Sequence, residues 1–71
     1  MQRIKMKLQW IKNKDYVIDT STNTIYYKGK NVGVGVNFDA CLQRIWILEN
    51  KKVFVDKNDF KEVEWKFKYL L

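Results

Sequence analysis

The chain has 71 residues, of which 14 are Lys or Arg and 8 are Asp or Glu, giving a formal net charge of +6. This length suits one domain over residues 1–71, and 46% hydrophobic with 15% aromatic residues favours a folded chain over a disordered one. The lack of histidine, with a single cysteine, excludes the standard zinc spacings and the usual general base near neutral pH. We therefore expect no metal, no cofactor and no enzymatic activity.

Cysteine usage and hydropathy bear on the compartment. Cys41 is the only cysteine, so an intramolecular disulfide is impossible and a reducing compartment is the simpler assumption. The N-terminus lacks the apolar run of a signal peptide, and no segment approaches the ~18 consecutive apolar residues of a membrane span. We expect a cytoplasmic protein without membrane contact.

The first half of the chain alternates in the way that β-strands do. Residues 3–10 alternate between polar or basic and apolar side chains, and further strands are predicted over residues 16–18, 24–28 and 32–38. The chain has no proline and three glycines, so its turns are expected at clusters of Asn, Asp, Ser, Thr and Lys. The glycines of the fourth strand leave one of its faces bare, which lets another backbone or a ligand come close.

Residues 44–56 are the densest apolar segment, and two structures fit them. A hairpin with Asn50 and Lys51 in its loop gives apolar cross-strand pairs on both arms. A helix over residues 39–49 has Asp39 as a plausible N-cap. The hairpin is preferred because its first arm is rich in β-branched and aromatic residues.

The end of the chain completes the predicted fold. Residues 57–60 are typical of a tight turn or one turn of 3₁₀ helix, and residues 62–69 alternate as a last strand. Five to seven short strands with tight turns indicate an all-β fold, either a small SH3-like barrel or an antiparallel meander. The alternative is an α+β fold with one helix at about residues 39–49. The likeness to SH3-like barrels is architectural and implies no function.

Basic residues near the N-terminus are the strongest functional signal. Arg3, Lys5 and Lys7 share one face of the first strand, and Lys12 and Lys14 extend this basic stretch. Cations at alternate strand positions lie ~6.6–7 Å apart and can follow a phosphate backbone. The competing interpretation is a solvated outer face, or an edge strand that its lysines protect from pairing.

Tyr26 is the second candidate. By strand parity it shares a face with Lys28, near Lys30, and an exposed tyrosine beside lysines can stack on an unpaired base. The competing interpretation is that its ring packs over the glycines of the neighbouring strand. The three tryptophans fall on apolar segments and are assigned to the core.

These features predict a non-enzymatic, basic module that binds nucleic acid. The predicted nucleic-acid-binding residues are Arg3, Lys5, Lys7, Lys12, Lys14, Tyr26, Lys28 and Lys30. The alternative is an inhibitor or adaptor, of the kind a phage or plasmid encodes, that binds a cellular protein through an edge strand or an aromatic patch. A homodimer through a terminal strand is a further expectation.

Overall fold

The computed structural model of the chain describes residues 6–64. Strands β1 (Met6–Trp10), β2 (Tyr16–Asp19), β3 (Thr24–Tyr27), β4 (Lys30–Val34) and β5 (Phe60–Glu64) form one antiparallel sheet. Between β4 and β5 the chain forms helix α1 (Phe38–Leu48) and a 3₁₀ turn, Lys57–Asp59. The fold is therefore a small β meander with a single helix, which confirms the antiparallel meander and the helix that the sequence left as an alternative.

The order of strands in the sheet is β4-β3-β2-β1-β5. Strands β1 to β4 follow one another as hairpins, and β5 returns to pair with β1, so that Leu8 lies between Ile18 and Glu62. Within the described residues β1 is thus interior, and β4 and β5 are the edges. The interpretation of the first strand as an edge protected by lysines is wrong for residues 6–10, because pairing with β5 is a long-range contact that local alternation does not reveal.

Helix α1 occupies most of the segment for which a strand from residue 44 was preferred. Asn37 caps it, with the Asn37 side chain accepting a hydrogen bond from the Ala40 amide at 2.8 Å. The helix buries Cys41 and Ile45, which are four residues apart and so lie on one face. The predicted hairpin is therefore wrong. The run of apolar residues is continuous because the buried face of the helix and the exposed face beside it both carry apolar side chains.

Asn50 and Lys51 end the helix instead of turning a hairpin. Both have positive φ, 63° and 60°, and the Lys51 amide donates to the Trp46 carbonyl at 2.8 Å. Left-handed residues just after a helix are a common means of satisfying its last carbonyls. The same asparagine-lysine pair that favours a tight turn in a strand context therefore serves as a helix stop.

The core lies between α1 and one face of the sheet. Aromatic rings from β1 and β2 fill one end of it, and aliphatic side chains from β2, β3 and α1 fill the middle. Its buried residues are Trp10, Tyr16, Ile18, Ile25, Cys41, Ile45 and Val55. Burying a large apolar side chain contributes roughly 1.5–3 kcal/mol, so this cluster dominates the stability of the domain.

The remaining strand predictions divide into three outcomes. The strands over residues 16–18 and 24–28 and the 3₁₀ turn near residues 57–60 are confirmed. The strand over residues 32–38 is wrong beyond Val34, where the chain turns to start α1. Residues 3–5 and 65–69 of the first and last predicted strands lie outside the described residues. Within residues 6–64 no helix has the length and apolarity that crossing a membrane requires.

Candidate nucleic-acid interface

Two turns that carry lysines lie at the same end of the sheet, where strands β1 and β3 finish. Tyr16 at the start of β2 pairs with Tyr27 at the end of β3, so the β1–β2 turn and the β3–β4 turn are neighbours. The Lys28 amide donates to the Asp15 carbonyl at 3.0 Å, which joins the two turns directly. Their centres are two strand spacings apart, about 10 Å. We call the four lysines that they carry the basic turn edge: Lys12, Lys14, Lys28 and Lys30.

Packed aromatic rings hold these turns in place. The centroid of Tyr16 is 4.6 Å from that of Tyr27 and 5.7 Å from that of Trp10, which stacks on Phe60 at 6.3 Å. The Tyr16 hydroxyl donates to Glu49 Oε2 at 2.7 Å, tying the end of α1 to the sheet. Burial raises the pKa of Tyr16, and the nearby Glu49 carboxylate raises it further, so this hydroxyl stays protonated as a donor. The turns therefore project from a rigid base.

The basic turn edge keeps most of its charge available to solvent. Lys14, Lys28 and Lys30 are exposed, and the Lys12 side chain is 52% exposed with its Nζ 3.6 Å from Asp59 Oδ2. An exposed ion pair of this kind stabilises the fold very little, so Lys12 can leave Asp59 and bind a phosphate at a small cost in free energy. The four lysines carry four positive charges and the neighbouring Asp15 and Asp59 carry two negative ones, so the net charge of this region is +2.

Lys28 occupies a conformation that lysine does not favour. It has φ 53° and Gly29 has φ 83°, which makes a two-residue turn with both central residues left-handed. Asn, Asp or Gly is the usual first residue of such a turn, because other side chains are strained there. A cation is therefore held at the tip of the turn against local conformational preference.

Lys7 lies in a different environment from the one that the sequence suggests. It is 5% exposed, and its Nζ is 3.5 Å from Asp19 Oδ2 on the neighbouring strand. Burial alone would raise the pKa of Asp19, but hydrogen bonds from Ser21 and the charge of Lys7 outweigh it and hold that pKa below its usual value. The expectation of Lys7 on a solvated face is therefore wrong, because Lys7 is buried and its ammonium is paired with a carboxylate of the neighbouring strand.

Tyr26 is half-buried and lies on the sheet face opposite to Tyr27. It pairs with Asn31 and Val17, and the atoms nearest to a Cβ at Gly33 belong to Arg44 instead of to Tyr26. A bulge between Ile25 and Tyr26 shifts the register there. The Lys28 side chain lies towards Tyr27 instead, with Nζ 5.5 Å from that ring centroid.

A row of paired residues crosses the sheet face that carries Tyr26. Val17 in its middle is buried, so the row adds only Lys61 to the exposed cations. Gln9 pairs with Val17 on one side and Lys61 on the other, and Val17 pairs with Tyr26. Lys61 is exposed and joins this row through the pairing of β5 with β1. It was missed because β5 is about 50 residues from β1 in sequence. Arg3 and Lys5 lie outside the described residues.

Metal binding and catalysis by a cysteine nucleophile have little basis in the described part of the chain. Residues 6–64 contain no group of three or more His, Cys, Asp or Glu side chains that could hold a metal ion. Burial raises the pKa of the Cys41 thiol, which donates to the Asn23 carbonyl at 3.2 Å. That thiol is therefore a packed donor and a poor nucleophile.

Comparison with protein-family models, with curated proteins and with solved structures finds no match to this chain. Function is therefore inferred from geometry and charge.

Proposed function

We propose that this protein is a non-enzymatic, cytoplasmic module that binds nucleic acid through the basic turn edge. The observation that carries the proposal is the bond between the Lys28 amide and the Asp15 carbonyl, which brings two lysine-bearing turns together. Lysines far apart in sequence thereby form one surface about 10 Å across. The compartment is inferred from the single cysteine, which is buried.

Phosphate contact supplies the affinity in this mechanism. Each lysine that neutralises a phosphate releases a condensed counterion, so binding weakens as salt rises. Four contacts give a slope of log K against log salt of about −3 to −4. Arg3 and Lys5 stay predicted cations that precede β1, outside the described residues, and Tyr26 stays a candidate for stacking on an unpaired base. Lys7 has a structural role in the pair with Asp19 and is not assigned a phosphate.

The first experiment is a titration with fluorescently labelled single-stranded RNA, single-stranded DNA and duplex DNA at 50 and 200 mM salt. We expect binding at low salt that weakens at least tenfold at the higher concentration. Absence of binding at 50 mM, or binding indifferent to salt, would remove the proposal.

A matched pair of variants then tests the location. The double variant Lys14→Gln with Lys30→Gln removes two charges from the basic turn edge, and Arg44→Gln with Lys52→Gln removes two exposed charges from α1 and the segment after it. We expect the first pair to reduce the salt slope by about 2 and the second to leave it near the wild-type value. Equal losses would mean a non-specific effect of net charge. A loss confined to Arg3→Gln with Lys5→Gln would move the surface to the N-terminus.

A second candidate function is binding of a cellular protein by strand addition. Edge strand β4 favours it, because Val34 and the following Val36 are 61% and 90% exposed. An extended peptide gains main-chain hydrogen bonds on such an edge and apolar contact from the valines. Pull-down from a candidate host lysate before and after nuclease treatment separates the two functions. A stoichiometric protein partner that survives nuclease and is lost in Val34→Lys supports the second.

A further inference from the structure

An open apolar groove runs along the flank of α1, and none of its lining residues belongs to the basic turn edge. It has a volume of about 310 Å³ and is lined by Leu42, Gln43, Trp46, Phe54 and Val55. Positions 42, 43 and 46 lie together on the helix because they are three or four residues apart. Val55 forms the floor, since it is buried in the core cluster.

The groove has a large apolar projection beside it. Phe54 follows the helix in the chain and is 74% exposed, although its neighbour Val55 is buried. A ring left in water next to an apolar groove is a pattern typical of interaction surfaces. A projection and a groove on one surface also suit an isologous interface, in which each protomer inserts the same residue into the other.

Opposite charges stand at the two ends of the groove. Asp39 lies on the same helix flank, in the first turn, and Lys51 follows the last turn with its Nζ 5.6 Å from the Trp46 ring centroid. Position 45 is midway between positions 39 and 51 and lies among the helix positions that line the groove. If a twofold axis passes through this point and relates two antiparallel copies of α1, the groove lies at the centre of the contact, and Asp39 of each copy lies opposite Lys51 of the other.

We propose that this groove binds a second copy of the chain, forming an isologous dimer in which the two α1 helices run antiparallel. Each protomer contributes Phe54 to the groove of the other, and two ion pairs between positions 39 and 51 flank the apolar centre. The Phe54 and Trp46 rings of two protomers would bury roughly 600–1,000 Å² if all four were fully exposed beforehand. Trp46 is already partly buried against the core, so the interface is smaller than this and well below the standard size. The dimer is therefore weak, with a dissociation constant of about 10 µM to 1 mM.

Sedimentation equilibrium over 10 µM to 1 mM protein measures the assembly, with Phe54→Ser as the first variant. Phe54 is exposed, so the substitution leaves the core intact, and we expect dimer affinity to fall about tenfold or more. Val36→Ser is the matched control, because Val36 is 90% exposed but lies outside the groove. Thermal melts of both variants check that folding is unchanged.

Charge reversal tests the antiparallel arrangement. In the single variants Asp39→Lys and Lys51→Asp, positions 39 and 51 carry the same charge. Both contacts across the twofold axis then become repulsive, so each variant should be more monomeric than wild type. Mixing the two variants restores opposite charges at both contacts, so a heterodimer should form at about the wild-type affinity. Carrying both reversals on one chain should likewise restore the homodimer.

Two results overturn the proposal. One is a monomer at every concentration up to 1 mM, and if its Trp46 environment responds to an acidic amphipathic peptide, the groove is assigned to a different protein. The other is a dimer indifferent to Phe54→Ser or to the mixing of the charge variants, which would place the contact elsewhere, including on a terminal strand. Nucleic-acid binding by a strict monomer leaves the proposed function standing while removing the dimer.

Discussion

At one end of the sheet Lys7 is buried against Asp19, whereas at the other end Lys14, Lys28 and Lys30 are exposed on two turns. At the Lys7 end the start of α1 packs on the other face of the sheet, where the Asn23 carbonyl accepts hydrogen bonds from the Gly35 amide at 2.8 Å and from the Cys41 thiol at 3.2 Å. We call this the closed end. The difference teaches that alternation predicts which face of a strand a lysine occupies, but not whether water reaches it.

The largest expected effect comes from breaking the ion pair of the closed end. Lys7→Ala leaves the Asp19 carboxylate partly buried without its cation, and we expect a loss of about 2–3 kcal/mol in the free energy of unfolding. Lys14→Ala at the basic turn edge should change it by less than about 0.5 kcal/mol. Urea denaturation followed by tryptophan fluorescence measures both. Equal small effects would mean that the two ends do not differ as described.

The next effect tests how closely the closed end is packed. A Cβ at Gly35 would lie 2.9 Å from Cys41 Sγ and 3.0 Å from both the Asn37 carbonyl oxygen and the Cys41 amide nitrogen. Because two of these atoms are backbone, we expect Gly35→Ala to cost about 1–3 kcal/mol.

Gly33→Ala is the matched control for that change. The nearest atom to its Cβ would be Arg44 Nε at 3.0 Å, the far end of a flexible and exposed side chain. The arginine can move, so the cost should be below about 1 kcal/mol. Finding Gly33→Ala the more damaging of the two would contradict the close approach of Gly35 to the start of α1.

Acid sensitivity should also come from the closed end. The pKa of Asp19 is lowered in the folded protein, so its contribution to stability is complete above the ordinary carboxyl pKa, about 4, and is lost as the pH falls further. We expect the free energy of unfolding to decline below about pH 4 in the wild type and less steeply in Asp19→Asn. Urea midpoints from pH 7 to pH 3 measure the two slopes. Parallel slopes would show that other carboxylates set the acid response.

Local patterns predicted the meander, because turn-forming residues such as Asn13, Asp15 and Gly29 separate the alternating segments. The segment over residues 44–56 was harder, since Ile45 to Leu48 is apolar at every position and suits a central strand or a helix. The decision is made by Asn37 as N-cap and by burial of Cys41 and Ile45 on one helical face. Tertiary packing therefore overrode the strand preference of β-branched residues.

The candidate surface was predictable only in part. Lys12, Lys14, Lys28 and Lys30 were identified as cations, but their proximity depends on the pairing of β2 with β3. Lys7 was assigned to the same surface because its partner, Asp19, belongs to another strand. The groove beside Phe54 was not predicted, since it requires α1. The pairing of strands that are far apart in the chain is not apparent from one sequence.

The smallest expected effect separates stability from binding at a single residue. Asn adopts positive φ more readily than Lys, so Lys28→Asn should raise the free energy of unfolding by about 0.5 kcal/mol. The same change removes a cation from the basic turn edge, so the salt slope of nucleic-acid binding should fall by about 1. Chemical denaturation and a salt titration of the same preparation measure both. Because the two effects have opposite signs, weaker binding by a more stable protein cannot arise from partial unfolding, whereas unchanged binding would remove Lys28 from the proposed surface.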